Sequence, residues 1–367
     1  MRGLYIHIPF CVSKCLYCDF YSIIAAPGLV DKYVDALLAE ADSYTGDSFA
    51  TLYIGGGTPS LLGPARLEKL VNGLSRRFDL EHLQEATIEA NPESAGGDFL
   101  QAAHRLGIRR VSIGVQSLNA EELRKAGRAH GRQQALDAIQ AASRSGFQDI
   151  SVDVMIGLPG QTAQSLADTL GTLIGAGINH VSAYCLSVEE GTAFYTSPPP
   201  DLPGEDDQGG LFQSAVDILG AHGFAHYEIS NFALPGRECR HNLNYWRGGD
   251  YIGLGTAAAS HSGGKRFRNA PCVERYLDDP LFVMEGEETL DDQHKAGEEA
   301  VLRLRLIQEG LDIKEMAGRY GQESISSLQA RLDELVRRQM LVRDGYIYRL
   351  PPGGVLTSNS VFVEVIA

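Results

Sequence analysis

Six short apolar runs, separated by stretches that carry apolar residues at three- and four-residue steps, constrain this chain more than any other feature. The runs are residues 4–8, 51–54, 86–89, 110–115, 150–155 and 181–186, and the stretches between them include 30–44, 64–77, 97–106, 132–145 and 162–175. Strand and helix in alternation predict an α/β fold, because parallel neighbours need a crossover long enough to return the chain to the same edge of a sheet. Six such units fall short of the eight that close a full barrel. The expectation is an open partial (β/α)6 barrel.

Cys11, Cys15 and Cys18 follow the first run with the spacing C-x3-C-x2-C. A loop leaving the end of a strand can turn three thiolates toward one point. A structural zinc site closes with four protein ligands, and an electron-transfer [4Fe–4S] cluster takes four cysteines. Three thiolates on a cubane leave one iron open, and an open iron can chelate an amine and a carboxylate, the pair that S-adenosylmethionine (SAM) carries. The alternative is a set of buried or zinc-bound thiols, with a fourth ligand from Cys185, Cys239, Cys272 or a histidine.

The second run ends in Ile54-Gly55-Gly56-Gly57-Thr58-Pro59. Glycines there let the backbone approach a ligand and offer amide donors, although such a run is also an ordinary turn. Three later runs carry polar residues at or near their C-terminal ends: Glu89, Gln116 and Asp153. Charge at a barrel mouth must be paired or solvated, and the C-terminal ends of barrel strands are where such folds place their sites. Each could instead cap a helix at the rim.

Composition narrows the function class. With 47 Asp and Glu against 32 Lys and Arg, the net charge of −15 argues against a general nucleic-acid binder. Six cysteines in 367 residues are too few for a disulfide scaffold, and clustered thiols favour a reducing compartment, so a cytoplasmic location is expected. The N-terminus does not read as a signal peptide, and no run approaches the ~20 apolar residues of a membrane span. At most, peripheral membrane contact is expected.

A proline-rich stretch, Ser197-Pro198-Pro199-Pro200-Asp201-Leu202-Pro203-Gly204, marks a change of pattern. A helix is expected over 208–222, then a glycine-, asparagine- and aromatic-rich segment to residue 269. Helices over 293–308, 313–320 and 324–339 precede two short apolar runs joined at Asp344-Gly345, a hairpin signal. Helices followed by a hairpin predict a winged-helix-like α+β module. Three divisions follow: 1–200, 201–290 and 291–367. The last holds ten Lys and Arg against twelve Asp and Glu, so no basic face for nucleic acid is expected.

Taken together, Tyr5-Ile6-His7-Ile8-Pro9-Phe10-Cys11, Gly55-Gly56-Gly57-Thr58-Pro59-Ser60, Glu89-Ala90-Asn91-Pro92-Glu93, Gly114-Val115-Gln116-Ser117 and Ile156-Gly157-Leu158-Pro159-Gly160-Gln161 resemble the oxygen-independent coproporphyrinogen III oxidase family of the radical SAM superfamily. The resemblance spans nearly the whole chain. It implies a radical-SAM partial barrel with a [4Fe–4S] cluster on Cys11, Cys15 and Cys18, and SAM contacts from Tyr5, Gly56, Gly57, Thr58 and Glu89. Gln116, Arg128 and Asp153, joined by Tyr17, match positions that hold a second SAM in the authentic oxidases.

Two departures point to a branch of that family. Phe20 stands where the oxidases have a further cysteine, and the chain starts ten residues before Cys11 without their long extension. Instead, Arg240-His241-Asn242-Leu243-Asn244-Tyr245-Trp246 contains the H-N-x-x-Y-W motif of the HemW-type haem chaperones. Imidazole is an ordinary axial ligand of haem iron, and Tyr245 and Trp246 could pack on a porphyrin face. His241 is therefore the expected haem-iron ligand, with Cys239 as a second or alternative one. The competing account is a polar loop whose histidine only hydrogen-bonds. His104, His130 and His261 are expected to be structural or surface residues, and Gly253-Leu254-Gly255-Thr256-Ala257-Ala258 to be tight packing beside the haem loop rather than a dinucleotide fingerprint.

The resemblance implies one of two functions. In the first, the chain carries haem to haem-requiring respiratory enzymes, with a haem donor upstream and homodimerisation open. In the second, it cleaves SAM reductively and oxidatively decarboxylates coproporphyrinogen III to protoporphyrinogen IX. Both share the cluster and SAM, and they differ in whether SAM is consumed. Phe20 and the His241–Trp246 motif favour the first.

Overall fold

The structure is a computed structural model that describes residues 1–281 and 284–366; residues 282, 283 and 367, within the expected 201–290 and 291–367 divisions, lie outside the described residues. Its first six long strands are β1 (Arg2–Ile8), β2 (Thr51–Gly56), β3 (Glu85–Ala90), β4 (Arg110–Gln116), β5 (Asp149–Ile156) and β6 (His180–Cys185). Each pairs in parallel with the next, in registers such as Leu4↔Leu52, Ile54↔Ile88, Ile88↔Val111, Val111↔Ile150 and Val152↔Val181. Every expected strand is present, most with a residue or two more at an end.

Helices Leu29–Ala41, Gly63–Ser75, Gly97–Arg105, Arg132–Arg144 and Ala163–Gly175 make the crossovers. Their sequence explains them. In Ala163–Gly175 the Thr162 hydroxyl accepts from the Ser165 amide at the start, and Leu166, Leu170 and Leu173 recur on the buried face. The strands are apolar on the face that the helices cover, where Ile6, Ile54, Ile88, Ile113, Val152 and Val181 are all essentially inaccessible, while the alternate residues Tyr5, Tyr53, Glu89, Ser112 and Asp153 turn to the barrel interior.

The sheet extends beyond the six expected units at both edges. β6 continues antiparallel into β8 (Asn231–Ala233) and then β7 (Ala225–Glu228), which follow the helix Glu205–Ala221. On the other side β1 pairs in parallel with β9 (Asp250–Leu254), followed by antiparallel β10 (Ala259–Ser262), β11 (Lys265–Asn269) and β12 (Met284–Thr289). Among the described residues the result is one open sheet of 12 strands. The proline-rich stretch at 197–204 therefore interrupts the chain pattern but not the sheet, and a single hydrophobic core runs from Leu4 to Tyr276.

The added edge is tied to the barrel by one buried carboxylate. Glu40, on the first crossover helix, accepts from the Gly255 amide at 2.8 Å, Asn269 Nδ2 at 2.6 Å and the Tyr276 phenol at 2.6 Å. Gly255 has φ +104°, and a Cβ there would lie 2.5 Å from Tyr33 Oη and 2.7 Å from the His7 carbonyl. The Gly253–Ala258 stretch is thus tight packing, but against the end of β1 and the first helix.

A second core gathers Ala300, Leu304, Leu328, Leu332, Tyr348 and Val365. It holds helices Asp292–Leu304, Ile313–Tyr320, Gln322–Arg337 and Ser358–Ile366 with a sheet of β13 (Leu311–Asp312), β15 (Ile347–Arg349) and β14 (Val342–Asp344). The two-residue hairpin loop is Gly345-Tyr346, one position later than expected. Helices plus a small wing give the winged-helix-like module. Among the described residues no helix is long and apolar enough to cross a membrane.

Two glycines test this packing. Gly255→Ala is expected to cost at least about 2 kcal/mol, since backbone strain and collision add. Gly171→Ala, in an exposed helix interior with open space around it, should be neutral or stabilising by up to ~1 kcal/mol. Urea unfolding of both variants measures the contrast, and equal effects would contradict it.

Candidate cofactor cavity and buried histidine

The cysteine loop is clamped from three sides. Phe10–Cys11 pairs with Ile23–Ile24, the Leu16 amide donates to the Ala126 carbonyl at 3.2 Å, and the Phe194 amide donates to the Leu16 carbonyl at 3.0 Å. This places Cys11, Cys15 and Cys18 at the C-terminal end of the strands, in the wall of a cavity of about 380 Å³. Tyr17, Gly56, Gly57, Glu89, Gln116, Arg128 and Asp153 line the same cavity. The structure thus brings together all the expected cluster and SAM residues except Tyr5 and Thr58. Of the distant cysteines only Cys185 lines it too.

An arc of hydrogen bonds runs behind the thiols. Thr58 Oγ1 donates to Cys11 Sγ at 3.6 Å and accepts from Asn91 Nδ2 at 3.0 Å. Asn91 Oδ1 accepts from Arg128 Nη2 at 3.0 Å, and Arg128 Nη1 donates to Cys15 Sγ at 3.3 Å. Thr58, fully buried, is therefore a support behind Cys11 rather than part of the cavity wall. Burial, with Cys15 and Cys11 as like-charged neighbours, holds the Cys18 thiol above its usual range, so ionising all three needs compensating charge. Arg128 supplies part, and a metal cluster would supply the rest. The donor set of three soft thiols beside a guanidinium fits a [4Fe–4S] cluster. Cys11, Cys15 and Cys18 would hold such a cluster, which with SAM bound beside it would be able to pass an electron to the sulfonium.

The glycine loop has a different reason than expected. The Gly56 amide already donates to Glu89 Oε2 at 3.0 Å, and the Gly57 amide to the Ile8 carbonyl at 2.8 Å. A Cβ on Gly56, at φ +113°, would meet the His7 ring at 2.7 Å, and one on Gly57 the Phe10 carbonyl at 2.7 Å. The glycines let the loop nest under the cysteine loop, and the amides of Gly56 and Gly57 are already engaged within the protein.

The far wall carries charge and strain. Gln116 ends β4 at φ +64°, beside a register shift, with its Oε1 buried and unpartnered. A left-handed non-glycine residue with an orphaned acceptor is a place where local cost is tolerated for the site. Asp153 accepts from Ser112 Oγ at 3.0 Å, and burial raises its pKa to about 6. Glu89 accepts from the Tyr53 phenol at 2.7 Å, and burial, with Asp153 as a neighbouring charge, raises it to about 7.

Beneath lies a second cavity of about 300 Å³, sharing Tyr53, Glu89 and Tyr184 with the first. His241, Tyr245, Trp246 and Tyr5 line it. Tyr5 is thus outside the upper cavity: its phenol bonds His7 Nδ1 at 2.9 Å, and His7 packs over Gly56. His241 sits at the start of helix Arg240–Trp246, stacked on Tyr53 at 5.1 Å. Its Nδ1 bonds Thr51 Oγ1 at 2.8 Å and its Nε2 bonds the Tyr245 phenol at 2.8 Å. Burial pulls its pKa down to about 3, so the ring is neutral. Cys239 does not line this cavity; its thiol donates to Glu85 Oε1 at 3.3 Å in a buried cluster with Arg110.

Sequence reading passed over Asn91, Tyr53, Tyr184 and His7. Asn91 lay inside a motif already singled out, whereas the tyrosines read as ordinary strand residues. His130 is structural, with Nε2 bonded to the Val115 carbonyl at 3.0 Å, and His104 packs edge-on to Phe147 at 5.6 Å.

The raised carboxyls set a pH dependence for the ligand-free protein. Glu89 binds its proton more tightly folded than unfolded, so its stabilising contribution is complete below 4.5, its ordinary value, and is lost as pH rises to about 7. The loss is at most about 3 kcal/mol. Glu89→Gln is expected to flatten the profile of unfolding free energy between pH 6 and 7, above the Asp153 transition; an unchanged slope there would contradict the assignment.

Comparison with known proteins adds the family. The profile of the Radical SAM superfamily matches residues 5–173. The chain is 33% identical to a Lactococcus lactis protein named heme chaperone HemW, over 100% of this chain and 97% of that one. It is 43% identical to the protein of the same name from Escherichia coli K12, over 70% of this chain and 69% of that one. Among solved structures, the coproporphyrinogen III oxidase HemN of Escherichia coli, a radical SAM enzyme, matches with a TM-score of 0.87 at 22% identity, covering 100% of this chain and 90% of that one; at that identity the likeness concerns the fold. Matched end to end by a named relative, with the superfamily profile lying over the cysteine loop and its strands, this chain belongs to the HemW family of the radical SAM superfamily.

Proposed function

We propose that this chain is a haem chaperone: it binds haem at His241, holds a [4Fe–4S] cluster and SAM in the upper cavity, and passes haem to haem-requiring respiratory proteins. The observation that carries the reading is a neutral imidazole in a cavity walled by Tyr5, Tyr53, Tyr245 and Trp246, in a chain whose relatives are named for haem. An iron needs the lone pair of Nε2, which requires the proton on Nδ1; Thr51 Oγ1 at 2.8 Å is placed to accept it and so to fix that tautomer. Tyr245 then donates to Nε2 and covers it until iron takes its place.

Cys11, Cys15 and Cys18 hold the cluster in this reading. Gly56, Gly57 and Glu89 receive SAM, with Thr58 and Tyr5 acting through Cys11 and His7. Tyr17, Gln116, Arg128 and Asp153 form the wall where a second SAM would sit. Residues 1–200 supply the cofactor cavity, 201–290 the haem loop and 291–367 the winged-helix-like module; because one core spans the first two, that division is of role rather than of folding. A haem donor upstream, a cytoplasmic location, at most peripheral membrane contact and a homodimer belong to the same reading.

Anaerobically reconstituted protein mixed with haem should keep a Soret band through gel filtration, and His241→Ala should lose it or bind at least tenfold more weakly, a loss of ~1.4 kcal/mol or more. Conversion of coproporphyrinogen III to protoporphyrinogen IX by the same sample would overturn chaperoning as the sole role. Tyr245→Phe removes the competing hydrogen bond to Nε2 and should tighten or speed haem binding by about three- to tenfold. Weaker binding by this variant would show that the phenol supports the ligand instead of covering it.

A further inference from the structure

The lower cavity is not built by the barrel alone. Arg305, one residue past helix Asp292–Leu304 of the C-terminal module, reaches into it. Its guanidinium carbon lies 4.3 Å from the centre of the Trp246 ring and 5.9 Å from that of Phe362. Among the described residues this guanidinium makes no hydrogen bond or ion pair, and its Nε is buried without a partner. Other covered arginines keep a carboxylate partner even where one nitrogen is orphaned, as Arg110 Nη1 is: Arg110 Nε bonds Glu85 at 3.2 Å, and Arg303 bonds Glu299 at 3.2 Å and Glu315 at 2.8 Å. Trp246 Nε1, in the same cavity, is likewise buried with no acceptor. Two desolvated donors without acceptors are costly, and a ring stack offsets that only in part. What they lack is an acceptor within hydrogen-bonding reach.

Besides Glu89, the cavity holds the carboxyl of Glu228, 1% exposed, with Oε2 unpaired, as is Asn231 Oδ1. Burial pushes the Glu228 carboxyl above its usual range, while Arg305 nearby pulls it back down. Haem offers the complementary chemistry, since its iron takes an axial imidazole while its ring edge carries two carboxylate side chains. We propose that Arg305, with Trp246 Nε1, binds a haem carboxylate, so that the C-terminal module recognises the acidic edge of the ligand whose iron His241 holds. This rests on the haem-binding reading above. The competing account is a purely mechanical stack that braces the module against the barrel.

The test compares haem with haem dimethyl ester, whose iron and ring are the same but whose carboxylates are blocked, titrated into the full chain and followed at the Soret band. The wild type is expected to bind haem about ten- to hundredfold tighter than the diester, the range for a charge-assisted hydrogen bond. Arg305→Gln should bring the two within about threefold with an unchanged Soret position, and Arg305→Lys should keep part of the preference. His241→Ala should instead alter the Soret band with both compounds, which reports on the parent reading separately. Equal binding of the two compounds by the wild type, or full discrimination by Arg305→Gln, would overturn the proposal. If Arg305→Gln does not fold, the wild-type comparison and Arg305→Lys decide. A wild type that binds neither compound would overturn the parent reading and this one together.

Discussion

Glu89 is held in the barrel interior by the Tyr53 phenol at 2.7 Å and the Gly56 amide at 3.0 Å, and the rest of the site is arranged around those two bonds. The Gly56 bond fixes the glycine loop, which lies under the cysteine loop so closely that no Cβ fits. The Tyr53 bond fixes a ring whose other face stacks on His241 and which walls off the upper cavity from the lower. A carboxyl this buried tolerates its position because both oxygens have donors and because the neutral form is within reach near pH 7. One side chain thereby orders both the loop that faces the thiols and the wall that faces the imidazole.

The two cavities use opposite electrostatics. Around the thiols a guanidinium is bonded directly to sulfur and to the Asn91 amide, compensating charge that three clustered cysteines would otherwise resist. In the lower cavity the imidazole is kept neutral by burial, while the cation nearby, Arg305, makes no hydrogen bond among the described residues. Metal affinity wants deprotonated thiols in the first place and a free lone pair in the second, and both are matters of local burial and partner rather than of the chain's net charge.

Much of this was legible from residue order. Strands and crossover helices are set by local periodicity, and they appear at the expected places because a parallel sheet needs apolar strands and amphipathic covers. Cys11, Cys15 and Cys18 could converge because they share one eight-residue stretch that leaves the end of a strand. The parallel pairing of β9 with β1 was not legible, since Asp250–Leu254 is joined to β1 by no local crossover. Nor was Tyr5's place in the lower cavity, because side chains alternate along a strand and the sheet's curvature decides which interior level each reaches. The amide donors expected of the glycine loop turned out to be engaged within the protein, a fact that depends on how β1 and β3 lie beside it.

By itself, then, the sequence determined the cofactor chemistry: thiol spacing, a glycine loop after a strand and a histidine–aromatic motif are local patterns, and local patterns survive without coordinates. Only the tertiary structure decided that His241 is bonded at both nitrogens, that Tyr53 and Glu89 divide one interior into two cavities, and that Arg305 from a separate core faces Trp246. Those pairings join residues up to 190 positions apart, as with Thr51 and His241. No periodicity encodes them, because they arise from which strand ends and which helix the folded sheet brings to the same point.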